Sequence, residues 1–389
     1  MAVAALTRLL LCVCVLLTLS CLPALPSGFQ RNSTYDLGRV TELVQAAVDT
    51  LHLTGASLLL VKDGSTIYEQ SFGAYNRDTV VPIASGTKLL SACVIMTLVD
   101  EGRLALDDPV SRYLPEFTDG KGKITLRQLL SHTSGLVDNH PSLGDDSMTL
   151  EEFVRRIARL NLASEPGSTF HYGNLSFAVA GRVAEVASGK PWATLFEEKI
   201  KGPLHMEATT YGDTQNPVIG GGARTTLHDY GNLLQMLLDQ GTFAGSQVLS
   251  PGSVREMQRD QTFGAPIVVS VHSDQRRYGL GQWLDAVDEE GNATQVSSQG
   301  DTGFSPWIDL RRRLVGVFLV DDSLGNVYQV VEKVQQAVRE AIDSSTAGPA
   351  ASQPSWDTWL GVWLQPPPSQ ANVPAPTQVS PVPLPVRSP

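Results

Sequence analysis

Ser85-Gly-Thr-Lys88 is the place in this chain where residue types and spacing first suggest covalent chemistry. Ser85 precedes the apolar-periodic run Leu89 to Val99, so the spacing predicts the first turn of a helix, with Lys88 three residues on and on the same face. A serine hydroxyl is a poor nucleophile until a base takes its proton, and a helix N-terminus beside an amine lowers the cost of developing negative charge. Taken alone the pair is a weak signal, because Ser and Lys three apart arise readily by chance and a capping serine is the plain alternative.

A second group strengthens it. Glu165-Pro-Gly-Ser-Thr-Phe-His-Tyr172-Gly-Asn174 runs through a Pro-Gly turn into another helix and sets a tyrosine and an asparagine two apart at a loop–helix junction. Tyr230-Gly-Asn232 repeats the triplet in a different setting. There Thr226 can cap a helix whose apolar positions Leu227, Leu233, Leu234, Leu237 and Leu238 put Tyr230 inside the helical run, where a packed tyrosine is expected. His132 lies in a loop with no matching Asp-His-Ser order and reads as structural, and His171, His205 and His272 show no metal-ligand spacing. No metal and no cofactor are implied.

The elements that must position these residues are mixed. Residues 55–62 and 65–72, separated by Asp63-Gly64, form a hairpin signal, and 305–310 with 314–320, separated by Arg311 to Arg313, form another. Helical periodicity covers 37–51, 86–101, 149–160, 175–188, 226–239 and 326–343. The fold class expected is α/β of the α+β type: an antiparallel sheet formed by both ends of the chain, flanked by helices, with an inserted helical subdomain.

At 389 residues, 42% hydrophobic and 18% charged, the chain can build a large core. Its 29 basic against 40 acidic residues, net −11, disfavour nucleic acid and anionic lipid as partners. Residues 1–28 read as a secretory signal peptide, with Arg8 ahead of an apolar run from Leu9 to Leu22 that is short for a bilayer span; an uncleaved anchor and a lipid-modified Cys21 are the alternatives. The expected location is secreted or extracytoplasmic, with no stable membrane span. Of the four cysteines, three lie in that leader, and Cys93 in Cys93-Val-Ile-Met96 reads as packed core. Residues 347–389 hold 11 prolines and read as a disordered, polyproline-prone tail, interrupted by Trp356, Trp359 and Trp363 at helical spacing. The domain expected to carry the chemistry is 37–345.

With Glu101 to Pro115, Leu126-Arg-Gln-Leu-Leu-Ser-His132-Thr-Ser-Gly135, Gly220-Gly-Gly-Ala-Arg-Thr-Thr-Leu-His-Asp229, Tyr278-Gly-Leu-Gly-Gln-Trp283 and Gly303-Phe-Ser305 added in order, the sequence resembles the serine β-lactamase-like superfamily. This is the penicillin-binding-protein fold shared by class C β-lactamases, D,D-peptidases and related serine esterases, and the resemblance spans about residues 40–340. It implies Ser85 as acyl-forming nucleophile, Lys88 as the partner that tunes its proton transfer and Tyr172 as general base. Lys88 would supply the charge that makes a phenolate affordable near neutral pH, and which of the two holds the proton first stays open. Asn174 would bond the substrate or hold Lys88, and the oxyanion would be bound by the Ser85 N–H and one from Gly300 or Asp301.

The third motif departs from the family. Where relatives carry Lys-Thr-Gly or His-x-Gly, this chain reads Ser297-Ser298-Gln299-Gly300-Asp301. Ser298-Gln-Gly300 takes the slot if one residue is gapped, and Ser297-Ser-Gln299 if not; the first keeps the glycine. Losing the cation removes a charged grip on a substrate carboxylate. The expected activity is therefore a serine hydrolase on small ester or amide substrates, an esterase or acyltransferase ahead of a D,D-peptidase or β-lactamase, with a catalytically weakened binding protein as the further alternative.

Overall fold

The computed structural model describes residues 35–272 and 276–346, so the expectations for the leader at 1–28 and the tail at 347–389 lie outside the described residues. The main elements in chain order are α1 Gly38–Thr50, β1 Gly55–Lys62, β2 Ser65–Gly73, α2 Thr87–Asp100, α3 Leu150–Ile157, α4 Leu175–Ser188, α5 Leu227–Leu238, β3 Arg277–Tyr278, β4 Trp283–Val287, β5 Ala293–Ser297, β6 Ser305–Asp309, β7 Leu314–Leu319 and α6 Leu324–Thr346.

Strand β1 is apolar at successive positions because both of its faces are covered. Leu58 and Leu60 join one core with Val40 and Val44 of α1 and Val331, Val334 and Val338 of α6. Leu59 and Val61 join the other, with Leu89 and Leu90 of α2, Phe177 of α4 and Leu233 and Leu234 of α5. The sheet runs β2-β1-β7-β6-β5-β4-β3, with every pairing antiparallel. Pairing of β1 with β7, from Ser57 opposite Leu319 to Lys62 opposite Leu314, joins the two ends of the chain, and the helical subdomain is inserted between β2 and β3. Both hairpins form where the turn chemistry predicts them. Asp63 and Gly64 both have positive φ, 49° and 74°, which matches the right-handed twist of the flanking strands.

The six helices with strong periodicity fall within a few residues of their predicted spans. Strands β4 and β5 escaped the reading, because Trp283-Leu-Asp-Ala-Val287 and Ala293-Thr-Gln-Val-Ser297 place polar side chains on a face that a charged and amide-rich layer covers. Helix α2 is buried around nearly its whole circumference, from Thr87 to Leu98, so it runs through the interior as a core helix. Its N-terminus is therefore anchored in the interior, with Ser85 half-buried just ahead of it.

Gly316 of β7 faces Trp307 of β6 in register, and a Cβ there would overlap the indole ring, which is buried and has no room to withdraw. Gly316→Ala should therefore lower stability by about 1–3 kcal/mol, the cost of overpacking a filled core, as read from the midpoint of a urea titration. An unchanged midpoint would show that the sheet yields here.

Candidate active site

The chain reaches Ser85 through a tight turn. Ala84 lies at φ 40°, an unfavourable conformation for a residue with a Cβ, and opens a 3₁₀ turn at Ala84–Gly86 that leads directly into α2. Ser85 makes no side-chain cap in this turn. The capping alternative therefore fails, and the hydroxyl is left for other partners.

Carbonyls in and just before the turn are fixed by three side chains, two from the β5–β6 connection and one from α5. Thr302 Oγ1 donates to the Pro82 carbonyl at 2.9 Å, Ser298 Oγ to the Ser85 carbonyl at 3.4 Å, and the Tyr230 hydroxyl to the Gly86 carbonyl at 2.7 Å. Tyr230 is fully buried on α5, with its ring 4.8 Å from that of Phe304. It is a brace, as its place in the helical run predicted.

Lys88 is 1% exposed, and its amine has three oxygen partners: Ser85 Oγ at 3.1 Å, Asn174 Oδ1 at 3.0 Å and the Gly220 carbonyl at 2.8 Å. Burial pulls its pKa from 10.5 down to about 7. The carbonyl oxygens of Asn174 and Gly220 can only accept, and a neutral amine has two N–H donors, so both hydrogens are spoken for and the lone pair is left for the Ser85 proton. Asn174 is itself oriented: its Nδ2 donates to Asn139 Oδ1 at 2.9 Å and its N–H to the Asp138 carbonyl at 2.8 Å. Gly173 allows this, because a Cβ there would overlap the backbone of Asp138.

Tyr172 is also buried. Its N–H donates to the Val269 carbonyl at 3.0 Å, its ring stacks on Trp283 at 5.2 Å, and the Lys88 amine lies 4.7 Å from the ring centroid. Burial raises the phenol well above its ordinary 10, the nearby Ser85 hydroxyl pulls it back in part, and the Asp301 carboxylate pushes it up again. Lys88 meets the face of the ring, and burial pushes the two groups in opposite directions, the phenol up and the amine down to about 7.

His132 packs behind these groups, with ring centroids 4.5 Å from Tyr172 and 4.9 Å from Tyr278. Burial, reinforced by the charge of Lys88, holds its imidazole well below 6.5, so it is a neutral packing residue. Cys93 is a buried thiol in the core of α2, raised by burial. Among the described residues there is no cluster of His, Cys, Asp and Glu able to hold a metal ion, and no helix is long and apolar enough to cross a membrane.

The third motif is placed differently from the substrate-contact expectation. Ser298 is 3% exposed, and its single hydroxyl hydrogen is shared between the Ser85 and Gly281 carbonyls at 3.4 and 3.3 Å. The Gly300 N–H donates to the Phe304 carbonyl at 2.8 Å, so it cannot serve an oxyanion; a Cβ at Gly300 would overlap the Ile83 carbonyl, which makes it a close-packing glycine. Asp301 is the remaining choice, since among the described residues its N–H meets no acceptor. The Ser85 N–H precedes the first bond of its turn, which runs from Gly86 to Ile83. Sequence reasoning missed Gly220 and Asn139 as partners; Gly220 stood within a quoted landmark, and nothing singled out Asn139.

A family model described as Beta-lactamase matches residues 40–341. The chain belongs to the beta-lactamase family. A solved structure of a beta-lactamase candidate from Bacteroides dorei DSM 17855 is 35% identical, superposes with a TM-score of 0.73, and matches over 79% of this chain and 99% of that one. Esterase EstB of Burkholderia gladioli is 32% identical over 208 residues, 46% of this chain and 53% of the esterase. Protein flp of Staphylococcus aureus strain N315 is 28% identical over 193 residues, 46% of this chain and 39% of flp. The chain thus spans about half the length, or less, of these curated relatives. The matched beta-lactamase region contains the whole Ser85, Lys88, Tyr172 and Asn174 cluster.

A lysine that is neutral when folded and charged when unfolded makes stability depend on pH. The unfolded chain holds the proton up to about pH 10.5 and the folded chain releases it at about 7, so stability rises with pH across that window and is flat below it. Wild type should therefore gain about 2–3 kcal/mol relative to Lys88→Met between pH 7 and pH 9, from paired denaturant titrations. Parallel curves for the two proteins would mean that Lys88 stays charged in the fold.

Proposed function

We propose that this protein is a serine hydrolase that forms an acyl-enzyme on Ser85 and turns over small neutral esters in preference to β-lactams. The observation that carries the proposal is the amine of Lys88: with both N–H donors committed to obligate acceptors, its lone pair faces Ser85 Oγ at 3.1 Å.

The proton accounting runs from that contact. Ser85 gives its proton to Lys88 as Oγ bonds to the acyl carbon, and the resulting ammonium has three donors for its three oxygen partners. The carbonyl oxygen becomes an oxyanion facing the N–H groups of Ser85 and Asp301. Tyr172, protonated and close enough to Ser85 to feel it, lies on the path by which the leaving group regains a proton from Lys88. The alcohol departs, water attacks the ester on Ser85 with Lys88 again as base, and the carboxylic acid is released.

Two features favour a neutral ester. No cation stands at Ser297 to Gln299, and the exposed residue after Gly300 is the acid Asp301, whose charge is felt at Tyr172. Both disfavour an anionic β-lactam or a D,D-peptide carboxylate. The named esterase among the relatives supports the same choice. The arginines at 311–313 do not replace the missing cation: they sit in the turn between β6 and β7, where Arg312 pairs with Asp309 and Asp343, and Arg313 with Asp63 and Asp239.

Ser85→Ala should abolish labelling by a fluorophosphonate probe, with the wild-type adduct located on Ser85 by mass spectrometry. Labelling that survives in the variant would remove Ser85 from the mechanism. On substrates, kcat/KM for p-nitrophenyl acetate should exceed that for nitrocefin by about 10- to 100-fold, the worth of one lost charge-assisted hydrogen bond. The reverse order would replace the esterase assignment with a β-lactamase one.

A further inference from the structure

Three Asn-x-Ser/Thr triplets occur in the chain: Asn32-Ser-Thr34, Asn174-Leu-Ser176 and Asn292-Ala-Thr294. An asparagine in this pattern is an acceptor for N-linked sugar when a chain enters a eukaryotic secretory route, and the folded surface decides which acceptor can keep one. The first triplet lies outside the described residues. The other two stand in opposite settings. At Asn174 both ends of the amide are committed, Oδ1 to the Lys88 amine at 3.0 Å and Nδ2 to Asn139 Oδ1 at 2.9 Å. Leu175 and Ser176 are buried in the first turn of α4, and Ser176 Oγ lies 3.3 Å from His132 Nδ1. A sugar on Asn174 Nδ2 would displace Asn139 and open the contact that holds the lysine.

Asn292 is exposed, in the turn between β4 and β5. The turn is closed by Gly291 at φ 84° and by Asp288, whose carboxylate accepts from the Asn292 N–H at 2.8 Å and from Asn292 Nδ2 at 3.2 Å. An N-linked sugar replaces one of the two Nδ2 hydrogens, so the other remains for Asp288 and the turn can keep its shape. The far end of β5 leads to Ser298 at the Ser85 turn, six residues on and about 20 Å along the strand direction, which leaves a glycan at Asn292 clear of the catalytic centre.

We infer that Asn292 is an N-glycosylation site, taking an oligosaccharide from a lipid-diphosphate donor, and that Asn174 stays unmodified although its triplet matches. The inference rests on the leader pattern of residues 1–28, which would bring the chain to that donor. In the transfer a bond forms between Asn292 Nδ2 and the anomeric carbon of the sugar, the bond from that carbon to the diphosphate oxygen breaks, the lipid diphosphate leaves, and one amide proton is released.

The full chain, expressed with its own leader in cultured animal cells and collected from the medium, provides the test. A glycosidase that converts each sugar-bearing asparagine to aspartate, used in heavy-oxygen water, marks the occupied positions for peptide mass spectrometry. The label should appear at 292 and not at 174. Asn292→Gln and Thr294→Ala should each lose this glycan completely, Thr294→Ser, which keeps the triplet, should retain it, and Asn292→Gln should turn over p-nitrophenyl acetate at the wild-type rate. An unmodified Asn292 in the secreted chain overturns the site. Sugar on Asn174 in chain that still turns over ester overturns the choice between the two triplets. A chain held inside the cell with residues 1–28 intact and no sugar overturns the secretory route on which the inference rests.

Discussion

The buried amine of Lys88 is the contact on which the rest of the site depends. Taking a lysine out of water is costly, and the fold meets the cost by lowering the amine's pKa to about 7 and surrounding it with oxygen acceptors. That solution constrains three distant parts of the chain at once. Asn174 must present its carbonyl oxygen, which Asn139 secures by accepting a hydrogen bond from the amide nitrogen, and Gly220 must bring its own carbonyl in close. A side chain at Gly220 would run into Asn174 Oδ1 and Phe177, so the glycine is required by the approach itself.

A base is useful only if the nucleophile stays where the lone pair points. Here the interior course of α2 matters. The helix is enclosed by apolar contacts, its entry turn is strained at Ala84, and the turn's carbonyls are held by Thr302, Ser298 and Tyr230 from strand ends and a neighbouring helix. Strain of this kind persists only where the surroundings over-determine it. The Ser85 N–H lies ahead of the first bond of the turn, so one turn presents both the hydroxyl and this N–H.

Much of this was legible in the sequence, for physical reasons that differ from element to element. The six long helices and two hairpins announce themselves through periodicity and through Asp63-Gly64, because burial of one face leaves a regular trace. Tyr230 could be told from Tyr172 because five leucines fix which side of α5 is buried. The protonation order of Lys88 and Tyr172 was not legible. It depends on how completely each group is desolvated and on whether the amine meets the ring or the hydroxyl, which are three-dimensional facts. The role of Asn139 was hidden for a similar reason: a loop asparagine has no periodic partner and acquires meaning only when Asn174 folds against it.

The altered third motif follows from the alternation of side chains along a strand. Successive residues at 297–299 face opposite sides of the sheet. Ser297 bonds Asp285 and Gln299 lines a cavity beneath α6, whereas Ser298 turns to the Ser85 carbonyl. A long cationic side chain at 298 could reach toward a substrate, but a serine is too short, and its hydroxyl is captured by the nearest backbone carbonyls. At this position the serine is a brace on the turn that carries Ser85. The exposed charge beside this turn is that of Asp301, and it is felt at Tyr172.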